Sequence, residues 1–368
     1  MKKILFGITS LTLGGAEKVL VDIVNKLQNE YDITIFTLYP NGEFEKAVSK
    51  NIKIFSLYNK PYNEMSKLEK LKVSLKLLLA RKNIYNENIK RENYDTEIAF
   101  LEGPITRLFS IKNTKTKKIA WVHNDISKVF GNNLKAKIKG RYDNKIYNRY
   151  DEIIFVSEDN LEKFKDLYTD IAKDKLKLIY NYIEAENVKE KSNSNLDIEF
   201  EKDKINFVTV ARLTVQKAID RLLKVHINLI RDGFIHNVYV IGEGPEKEKL
   251  ENTIKENKVQ NTFKLLGKKE NPYPYIKNAD IFFLLSSYEG YGMVLEEAKI
   301  LDKFIIITNT AAREAVADYE KSIIVDNNEE AIYNGLKQII ESKVKYEASN
   351  NSSAYDNLDI LEKIKEIL

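Results

Sequence analysis

The chain has 368 residues, a length that suits two domains of roughly 150–200 residues each. Hydrophobic residues make up 43% and charged residues 31% of it, as expected of a soluble globular protein. It contains no Cys and three His, which excludes disulfides, thiolate zinc sites and a Cys nucleophile and argues against a His-rich metal centre. The lack of Cys fits a reducing compartment, and no apolar run approaches the roughly 20 residues that span a bilayer. We therefore expect a cytoplasmic protein.

Short apolar runs rich in β-formers alternate with longer helical patterns along the chain. Such alternation predicts parallel sheets covered by helices on both faces, and two successive series predict two Rossmann-like domains. The first series of predicted strands is Ile4–Thr9, Ile33–Leu38, Ile52–Ser56, Thr96–Leu101, Lys118–Val122 and Glu152–Val156. The second is Asn206–Ala211, Val238–Ile241, Thr262–Leu266, Ile281–Leu285, Phe304–Thr308 and Ser322–Val325.

The polar stretch Ala185–Lys204 separates the two series and is typical of a linker. It predicts an N-terminal domain over 1–185, a linker over 186–203 and a C-terminal domain over 204–351. A second polar patch, Ala348–Ala354, precedes a final predicted helix that ends at Leu368.

Two cations follow the first strand of the second series. Arg212 and Lys217 lie in VARLTVQK (210–217), at the carboxyl edge of the predicted sheet, where ligands bind in open α/β folds. Together they could clamp a diphosphate and neutralise its charge as it leaves. Two exposed surface cations would explain the pattern equally well.

The most informative segment is Glu289-Gly-Tyr-Gly-Met-Val-Leu-Glu297, which follows the predicted strand Ile281–Leu285. A glycine loop between a strand and a helix leaves backbone N–H groups free for a phosphate. Glu289 in the loop and Glu297 in the helix could accept hydrogen bonds from sugar or ribose hydroxyls. A pair of solvated helix acids at Glu296 and Glu297 is the alternative, but a Gly-x-Gly loop directly after an apolar strand favours a ligand site.

The chain resembles glycosyltransferase family 4, whose members are retaining enzymes with the GT-B fold. The resemblance spans nearly the whole chain and rests on the E-x7-E motif in SSYEGYGMVLEEA, together with LGGAE (13–17), WVHND (121–125), IFVSE (154–158), VARLTVQK, IGEGPE (241–246) and LGKKENPYPYIKNADIFFL (266–284). It implies two Rossmann-like domains that face each other across a cleft, with a C-terminal helix (352–368) that packs back on the first domain.

The resemblance also implies roles for individual residues. Arg212 and Lys217 would bind the donor diphosphate, Glu289 would contact the transferred sugar, and His123 would lie near the reacting sugar. The predicted catalytic residues are therefore Glu289, Arg212, Lys217 and His123, and none of them is a covalent nucleophile. The predicted donor-binding residues are Gly14, Gly15, Gly267, Lys268, Gly290, Tyr291, Gly292, Met293, Val294 and Glu297.

By the same resemblance, a hexose-type sugar would move from a UDP- or GDP-sugar to a lipid-linked or growing glycan in cell-surface polysaccharide or glycolipid biosynthesis. No metal or other cofactor is expected, because two cations and a helix N-terminus already face the diphosphate. One departure from the family pattern is Ala218, where Gly is usual; it changes no charged group.

Eleven basic residues and two acids lie between positions 111 and 149, which indicates an anionic partner such as the inner face of the cell membrane, or else a solvated lysine-rich face. Two basic helical patterns carry apolar stripes. The first has Leu68, Leu71, Leu75, Leu78 and Leu79, and the second has Leu134, Ile138, Tyr142 and Ile146. We expect the first stripe to pack on the N-terminal sheet and leave both explanations open for the second.

Two other functions fit parts of the sequence. A GT-B-fold sugar-nucleotide epimerase would need its own acid–base groups, and the position of the E-x7-E motif argues against it. A non-catalytic nucleotide- or nucleic-acid-binding protein could stack bases on aromatic residues such as Trp121 and Tyr147 in the basic region, but no nucleic-acid module is recognisable and no nucleic acid is expected as a partner.

Overall fold

A computed structural model describes residues 1–126, 134–342 and 358–368. The described chain divides into two compact units. The first consists of Met1–Ile183 and the C-terminal helix, and the second begins at Glu184.

The first unit is built on a seven-stranded sheet in which every neighbouring pair is parallel, with the order β3-β2-β1-β4-β5-β6-β7. Its strands are apolar along most of their length, since helices cover both faces. The strands are β1 (Lys3–Ile8), β2 (Asp32–Thr37), β3 (Lys53–Ser56), β4 (Thr96–Ala99), β5 (Lys117–Val122), β6 (Glu152–Phe155) and β7 (Leu176–Leu178). Its α-helices are α1 (Gly15–Leu27), α2 (Lys67–Leu79), α3 (Arg81–Asn88), α4 (Pro104–Phe109), α5 (Leu134–Tyr147) and α6 (Glu158–Leu167).

The second unit repeats the plan with six parallel strands in the order β10-β9-β8-β11-β12-β13. The strands are β8 (Asn206–Val210), β9 (Asn237–Ile241), β10 (Phe263–Leu265), β11 (Ile281–Leu284), β12 (Phe304–Thr308) and β13 (Ser322–Val325). The helices are α7 (Ala185–Lys191), α8 (Ile219–Arg231), α9 (Lys247–Glu256), α10 (Tyr273–Asn278), α11 (Met293–Ile300) and α12 (Glu329–Ser342).

A final helix, α13 (Leu358–Ile367), belongs to the first unit although it follows the second in the chain. Its end is held at the amino edge of the first sheet. The Thr96 hydroxyl donates to the carbonyl of Leu368 at 2.7 Å, and the Lys117 ammonium donates to that of Ile367 at 2.8 Å. Ile364 is fully buried in the same region. The return of the C-terminal helix to the first domain is therefore confirmed for 358–368, and residues 352–357 of the predicted helix lie outside the described part of the chain.

Each strand predicted from the sequence is present, and its ends differ from the prediction by no more than two residues. Strand β7 escaped prediction because its three residues, Leu-Lys-Leu, are too short for a period to be recognised. The segment predicted as a linker, 186–203, also differs from the prediction. It begins in α7 and is attached to α10 of the second unit and to the turn before that helix. The Asn271 side chain in the turn donates to the Lys191 carbonyl at 2.8 Å, and Lys277 in α10 donates to Asn193 at 2.5 Å.

The prediction that the first leucine stripe packs on the sheet is wrong. Helix α2 turns Val73 toward the core, and Leu68, Leu71, Leu75, Leu78 and Leu79 are all exposed. A helix with two apolar faces buries one, and periodicity alone cannot tell which. In α5, by contrast, Ile146 is buried, so at least that end of the second stripe packs inward. None of the described helices is long and apolar enough to cross a membrane.

Candidate functional site in the second unit

The order of the second sheet reverses between β8 and β11, which are neighbours although they are three strands apart in sequence. Such a switch point opens a crevice at the carboxyl ends of the strands, where ligands bind in open α/β sheets. The Arg212–Lys217 loop follows β8 and the Glu289 loop follows β11. Topology therefore brings together two segments that lie more than 70 residues apart in the chain.

The loop after β8 is held from the side of β9. The Leu213 amide donates to the carbonyl of Glu243 at 2.9 Å, and the Glu246 amide donates to that of Leu213 at 3.1 Å. Gly242 permits this approach, since a Cβ there would clash with the carbonyl oxygen of Ala211. The glycines of IGEGPE therefore have a packing role that fixes the loop carrying Arg212.

Lys217 and Glu289 form the centre of the site. The Lys217 ammonium lies 2.5 Å from Glu289 Oε2, and the Ser286 hydroxyl donates to the same oxygen at 3.0 Å. Both charged side chains are largely buried, with 15% and 11% of their surfaces exposed. The two loops are also joined through their backbones, because the Ser287 amide donates to the Gln216 carbonyl at 2.9 Å. A pre-organised cation and carboxylate thus lie side by side at the switch point.

Arg212 is exposed, and no ion pair involves it within the described part of the chain. Lys217 ends a short 3-10 turn and is followed by Ala218 in the left-handed region, with φ of +49° and ψ of +39°. This is the position at which the family usually has Gly, and the structure supplies the reason: a Cβ is disfavoured there. Ala218 nevertheless adopts the conformation and starts α8.

The two glutamates of α11 are buried, so the alternative of solvated helix acids is wrong. Glu297 is 7% exposed and accepts a hydrogen bond from the Tyr273 hydroxyl at 3.1 Å. Glu296 is fully buried, accepts from the Tyr291 hydroxyl at 2.7 Å and pairs with Lys299 at 2.9 Å. Burial raises the pKa of Glu296 above its usual range. Glu296 therefore has a structural role, because its carboxylate is held by Tyr291 and Lys299. Glu297, the next residue, is the one predicted to bind the donor.

The predicted phosphate loop, Gly290–Val294, leads into the N-terminus of α11. Gly292 caps the helix with φ of +75°, and no side chain caps the first turn. The backbone N–H groups of Met293 and Val294 precede the first intrahelical bond, from Leu295 N–H to the Gly292 carbonyl at 2.8 Å. This is the geometry that suits an anion.

Gly267 and Lys268 follow β10, two strands away from β8 at the same edge of the sheet. Gly267 has φ of +69°, and its carbonyl accepts from the Gly242 amide at 2.9 Å. The predicted residues of the second unit therefore share one sheet edge, but only Lys217 and Glu289 are in direct contact in the hydrogen bonds and ion pairs described above.

Gly14, Gly15 and His123 belong to the first unit. Gly14 precedes α1 with extended backbone, and Gly15 opens the helix. The ring of His123 packs against Phe100, with the ring centres 4.8 Å apart, and its Nε2 is buried without a hydrogen-bond partner in the described structure. Burial lowers the pKa of His123 to about 3, so the imidazole is neutral at physiological pH. It can donate or accept a hydrogen bond there, but it brings no positive charge.

Glu102 was missed by sequence reasoning. It follows β4, the neighbour of β1 at the switch point of the first sheet, and its carboxylate accepts from the backbone N–H of His123 and from that of Asn124 at 2.6 Å. Burial raises the pKa of this carboxyl above its usual range. The available signal was an acid directly after an apolar strand and before Gly103-Pro104. Ser286, Gln216 and Tyr273 were also missed, because only their contacts mark them.

Two parallel Rossmann-like units, one of them with a cation–carboxylate pair at its switch point, define the class of α/β proteins to which GT-B glycosyltransferases belong. Comparison with known proteins agrees. Residues 13–187 match the family model described as Glycosyltransferase Family 4, and residues 190–356 match the one described as Glycosyl transferases group 1. The chain is a family 4-like glycosyltransferase.

Curated relatives cover the chain from end to end. It is 27% identical to the N-acetylgalactosamine-N,N'-diacetylbacillosaminyl-diphospho-undecaprenol 4-alpha-N-acetylgalactosaminyltransferase of Campylobacter jejuni, over 98% of this chain and 97% of that protein. It is 25% identical to the capsular polysaccharide biosynthesis glycosyltransferase CapH of Staphylococcus aureus, over 100% of this chain and 98% of CapH.

Solved structures share the fold. HepE of Anabaena, crystallised with UDP and glucose, superposes with a TM-score of 0.73 at 18% identity and covers 100% of this chain and 99% of HepE. TarM superposes with a TM-score of 0.76 at 14% identity, over 100% of this chain and 98% of TarM. The predicted fold class and family are thereby confirmed.

Proposed function

We propose that this glycosyltransferase moves a hexose-type sugar from a UDP- or GDP-sugar to a hydroxyl of a lipid-linked or growing glycan, with retention of the anomeric configuration. The observation that carries the proposal is the Lys217–Glu289 pair at the switch point of the second sheet. HepE, which shares the fold, was crystallised with UDP and glucose. The relative in Campylobacter jejuni is named for a diphospho-undecaprenol substrate, and CapH for capsular polysaccharide biosynthesis.

The donor diphosphate would bind between Arg212, Lys217 and the N-terminus of α11. Lys217 carries three N–H donors, so it can serve Glu289 and a phosphate oxygen together. Arg212 can add a bidentate contact. Because these groups supply positive charge where the leaving diphosphate develops negative charge, we propose that transfer needs no metal ion.

Glu289 and Glu297 would read hydroxyl groups. Glu289 is fixed by Lys217 and Ser286, which leaves a second carboxylate oxygen to accept a hydrogen bond from the transferred sugar. Glu297 would accept from the donor ribose beside Tyr273. Both would act by positioning the donor, and positioning contributes a large share of the rate in such reactions.

In the proposed step the bond between the anomeric carbon and the diphosphate oxygen breaks, and the bond to the acceptor oxygen forms on the same face. The acceptor proton passes to the departing phosphate oxygen, so the products are the glycoside and the nucleoside diphosphate. No protein atom becomes covalently linked. The residues of the first unit carried over from the family, Gly14, Gly15 and His123, would contact donor and acceptor.

The test is Lys217→Ala in a donor-hydrolysis and transfer assay with UDP- and GDP-hexoses. We expect a loss of at least about 100-fold, the range seen when one preorganised charge is removed from a reacting centre. Lys224→Ala is the matched control, because Lys224 lies in the same unit and pairs with Glu329 at 2.6 Å on the surface. Equal activity of the two variants would refute the site.

Two further measurements test the finer parts of the proposal. We expect activity to be unchanged after chelation with EDTA. Activity that EDTA abolishes and that only Mg²⁺ or Mn²⁺ restores would contradict metal independence. NMR of the product should show the anomeric configuration of the donor. An inverted product would contradict the same-face step and leave the donor site intact.

We also propose peripheral attachment to the inner face of the cell membrane through the basic region 111–149. Two of its cations have internal partners: Lys118 is buried against Glu97 at 2.5 Å, and Lys117 pairs with Glu152 at 3.2 Å. Lys128 and the side chains of Lys135, Lys137, Lys139 and Arg141 lie outside the described part of the structure. Binding to anionic vesicles should weaken at about 0.5 M salt, and binding of unchanged strength there would contradict an electrostatic basis.

A further inference from the structure

Helix α2 has two apolar faces, and the first unit uses only one of them. At about 100° per residue, Val73 and Leu77 share the inner side. Val73 is buried, and Leu77 packs on the core. The opposite side carries a stripe about 100° wide that we call the leucine face. Its members, Leu68, Leu71, Leu75, Leu78 and Leu79, are between 46% and 80% exposed.

Five outward leucines on a helix of 13 residues are unusual for a surface that meets only water. They are not needed for the start of the helix, which Ser66 and Glu69 secure as a capping box. They contribute nothing to the core, since their neighbours on the inner side already fill that role. The leucine face is therefore an apolar surface available to a partner.

Positive charge flanks the leucine face. At about 100° per residue, Lys67 lies on one side of the stripe and Lys72 and Lys76 lie on the other. All three are exposed, and no ion pair involves any of them within the described residues. The acid of the helix, Glu69, is engaged in its capping box and pairs with Lys60. An apolar stripe with lysines on both sides matches the surface of an anionic bilayer, in which acyl chains lie beneath negative headgroups.

We propose that the leucine face docks the first unit on an anionic phospholipid bilayer. Lysines on both sides of the stripe favour this occupant over a second copy of the chain, because self-association would bring like charges together. This surface lies outside the basic region 111–149, and it adds apolar insertion to electrostatic attraction. Salt should therefore weaken attachment through the leucine face without abolishing it.

The same helix also borders a cavity of about 780 Å³ in the first unit. Ser74, Leu77, Leu78 and Arg81 line it together with Leu38, Tyr39 and Tyr62. An amphiphilic acceptor would thus pass from the lipid surface along α2 into this cavity. This second step rests on the proposed function, whereas docking itself does not.

The test is sedimentation with vesicles of phosphatidylcholine, with and without phosphatidylglycerol. The variant is Leu68→Gln/Leu71→Gln/Leu75→Gln, which replaces apolar tips by amides, nearly keeps the helix propensity and spares the cavity lining. We expect at least about a tenfold loss of binding to the anionic vesicles. Leu167→Gln is the matched control, because Leu167 is 47% exposed at the end of another helix of the unit. Equal binding by the triple variant and the control would overturn the proposal.

A depth probe supplies independent evidence. The chain has a single Trp, Trp121, which is buried, so Leu75→Trp adds one exposed indole. Its emission should shift to the blue on anionic vesicles and be quenched by brominated acyl chains, whereas Leu167→Trp should not respond. An unresponsive Leu75→Trp would overturn apolar insertion.

Self-association is the competing outcome. Analytical ultracentrifugation without lipid would then show a native dimer that the triple variant dissociates. That result, together with no vesicle binding by the native chain, would overturn docking on a bilayer in favour of a protein interface. Donor hydrolysis separates this proposal from the proposed function. The triple variant should hydrolyse the donor like the native enzyme while its binding to anionic vesicles falls by at least about tenfold. A native enzyme that binds vesicles but never uses a nucleotide sugar would refute only the proposed function.

Discussion

The switch points of the two sheets carry different groups at equivalent places in the same topology. After β11 in the second unit, Glu289 is paired with the ammonium of Lys217. After β4 in the first unit, Glu102 accepts backbone N–H groups from the segment that carries a neutral His123. One edge presents paired opposite charges, and the other uses a carboxylate to hold a loop. Duplication of a fold therefore does not duplicate its chemistry, because the loops decide what each edge can bind.

The largest expected effect separates the two carboxylates. Glu289→Gln should lower transfer by about 100-fold or more with little change in melting temperature, because it removes charge from the reacting centre. Glu102→Ala should instead destabilise the first unit by roughly 1–3 kcal/mol, since two backbone donors lose their acceptor. Glu102→Gln should restore that stability, because an amide oxygen can accept the same bonds. The difference between the two carboxylates would be refuted if Glu289→Gln lowered the melting temperature strongly, or if Glu102→Gln were as unstable as Glu102→Ala.

The second prediction compares glycines in the two units. A Cβ on Gly242 would meet the carbonyl oxygen of Ala211, and Gly242→Ala should cost about 2–4 kcal/mol of unfolding free energy. A Cβ on Gly14 would meet only the movable carboxylate of Glu17, and φ of −158° suits any residue. Gly14→Ala should thus change stability by less than about 0.5 kcal/mol. Urea unfolding measures both, and lost activity in a stable Gly14→Ala would support ligand contact at that glycine.

The third prediction concerns acid. Burial lowers the pKa of His226 to about 2 and that of His236 to about 4, from a usual value of 6.5. Below pH 6.5 the unfolded chain therefore binds more protons than the folded chain. The stability that the two neutral histidines contribute is fully present above pH 6.5 and is lost as the pH falls toward 4 for His236 and toward 2 for His226. Each histidine contributes a slope of at most about 1.4 kcal/mol per pH unit.

This acid sensitivity should be greater in the second unit. The second unit has two such histidines and one buried carboxyl of raised pKa, Glu296. The first unit has one such histidine, His123, and two buried carboxyls, Glu97 and Glu102, and the raised pKa of a carboxyl acts in the opposite direction. Hydrogen exchange followed by mass spectrometry at about pH 7.5 and about pH 5.5 resolves the two units. Earlier opening of the first unit, or a His226 or His236 ring signal that titrates near 6.5, would contradict the prediction.

The smallest expected effect is at Ala218. Its φ of +49° costs a residue with a Cβ roughly 1 kcal/mol, part of which Gly would regain while making the unfolded chain more flexible. Ala218→Gly should raise the unfolding free energy by about 0.5 kcal/mol and keep Lys217 in place. A calorimetric melting temperature that falls would show that the left-handed turn carries no strain.

Most strands of both sheets could be predicted from the sequence because fully buried parallel strands are continuous apolar runs. The donor loops were accessible because glycines and charges directly follow such runs. Strand β7 and helix α7 were not, since the first is short and the second is polar. Glu102 was overlooked because its importance depends on β5, whose following residues come 21 positions later.

The sequence by itself determined the fold class, the family and the residue types of the second unit's site, because periodicity and local motifs are properties of neighbours in the chain. Tertiary structure alone decided which of them meet. It joined Lys217 to Glu289 across 72 residues, buried Glu296 and Glu297, and left the leucines of α2 outside. These outcomes depend on strand order and on which helix face the core covers. Both follow from packing between distant segments, which no local pattern encodes.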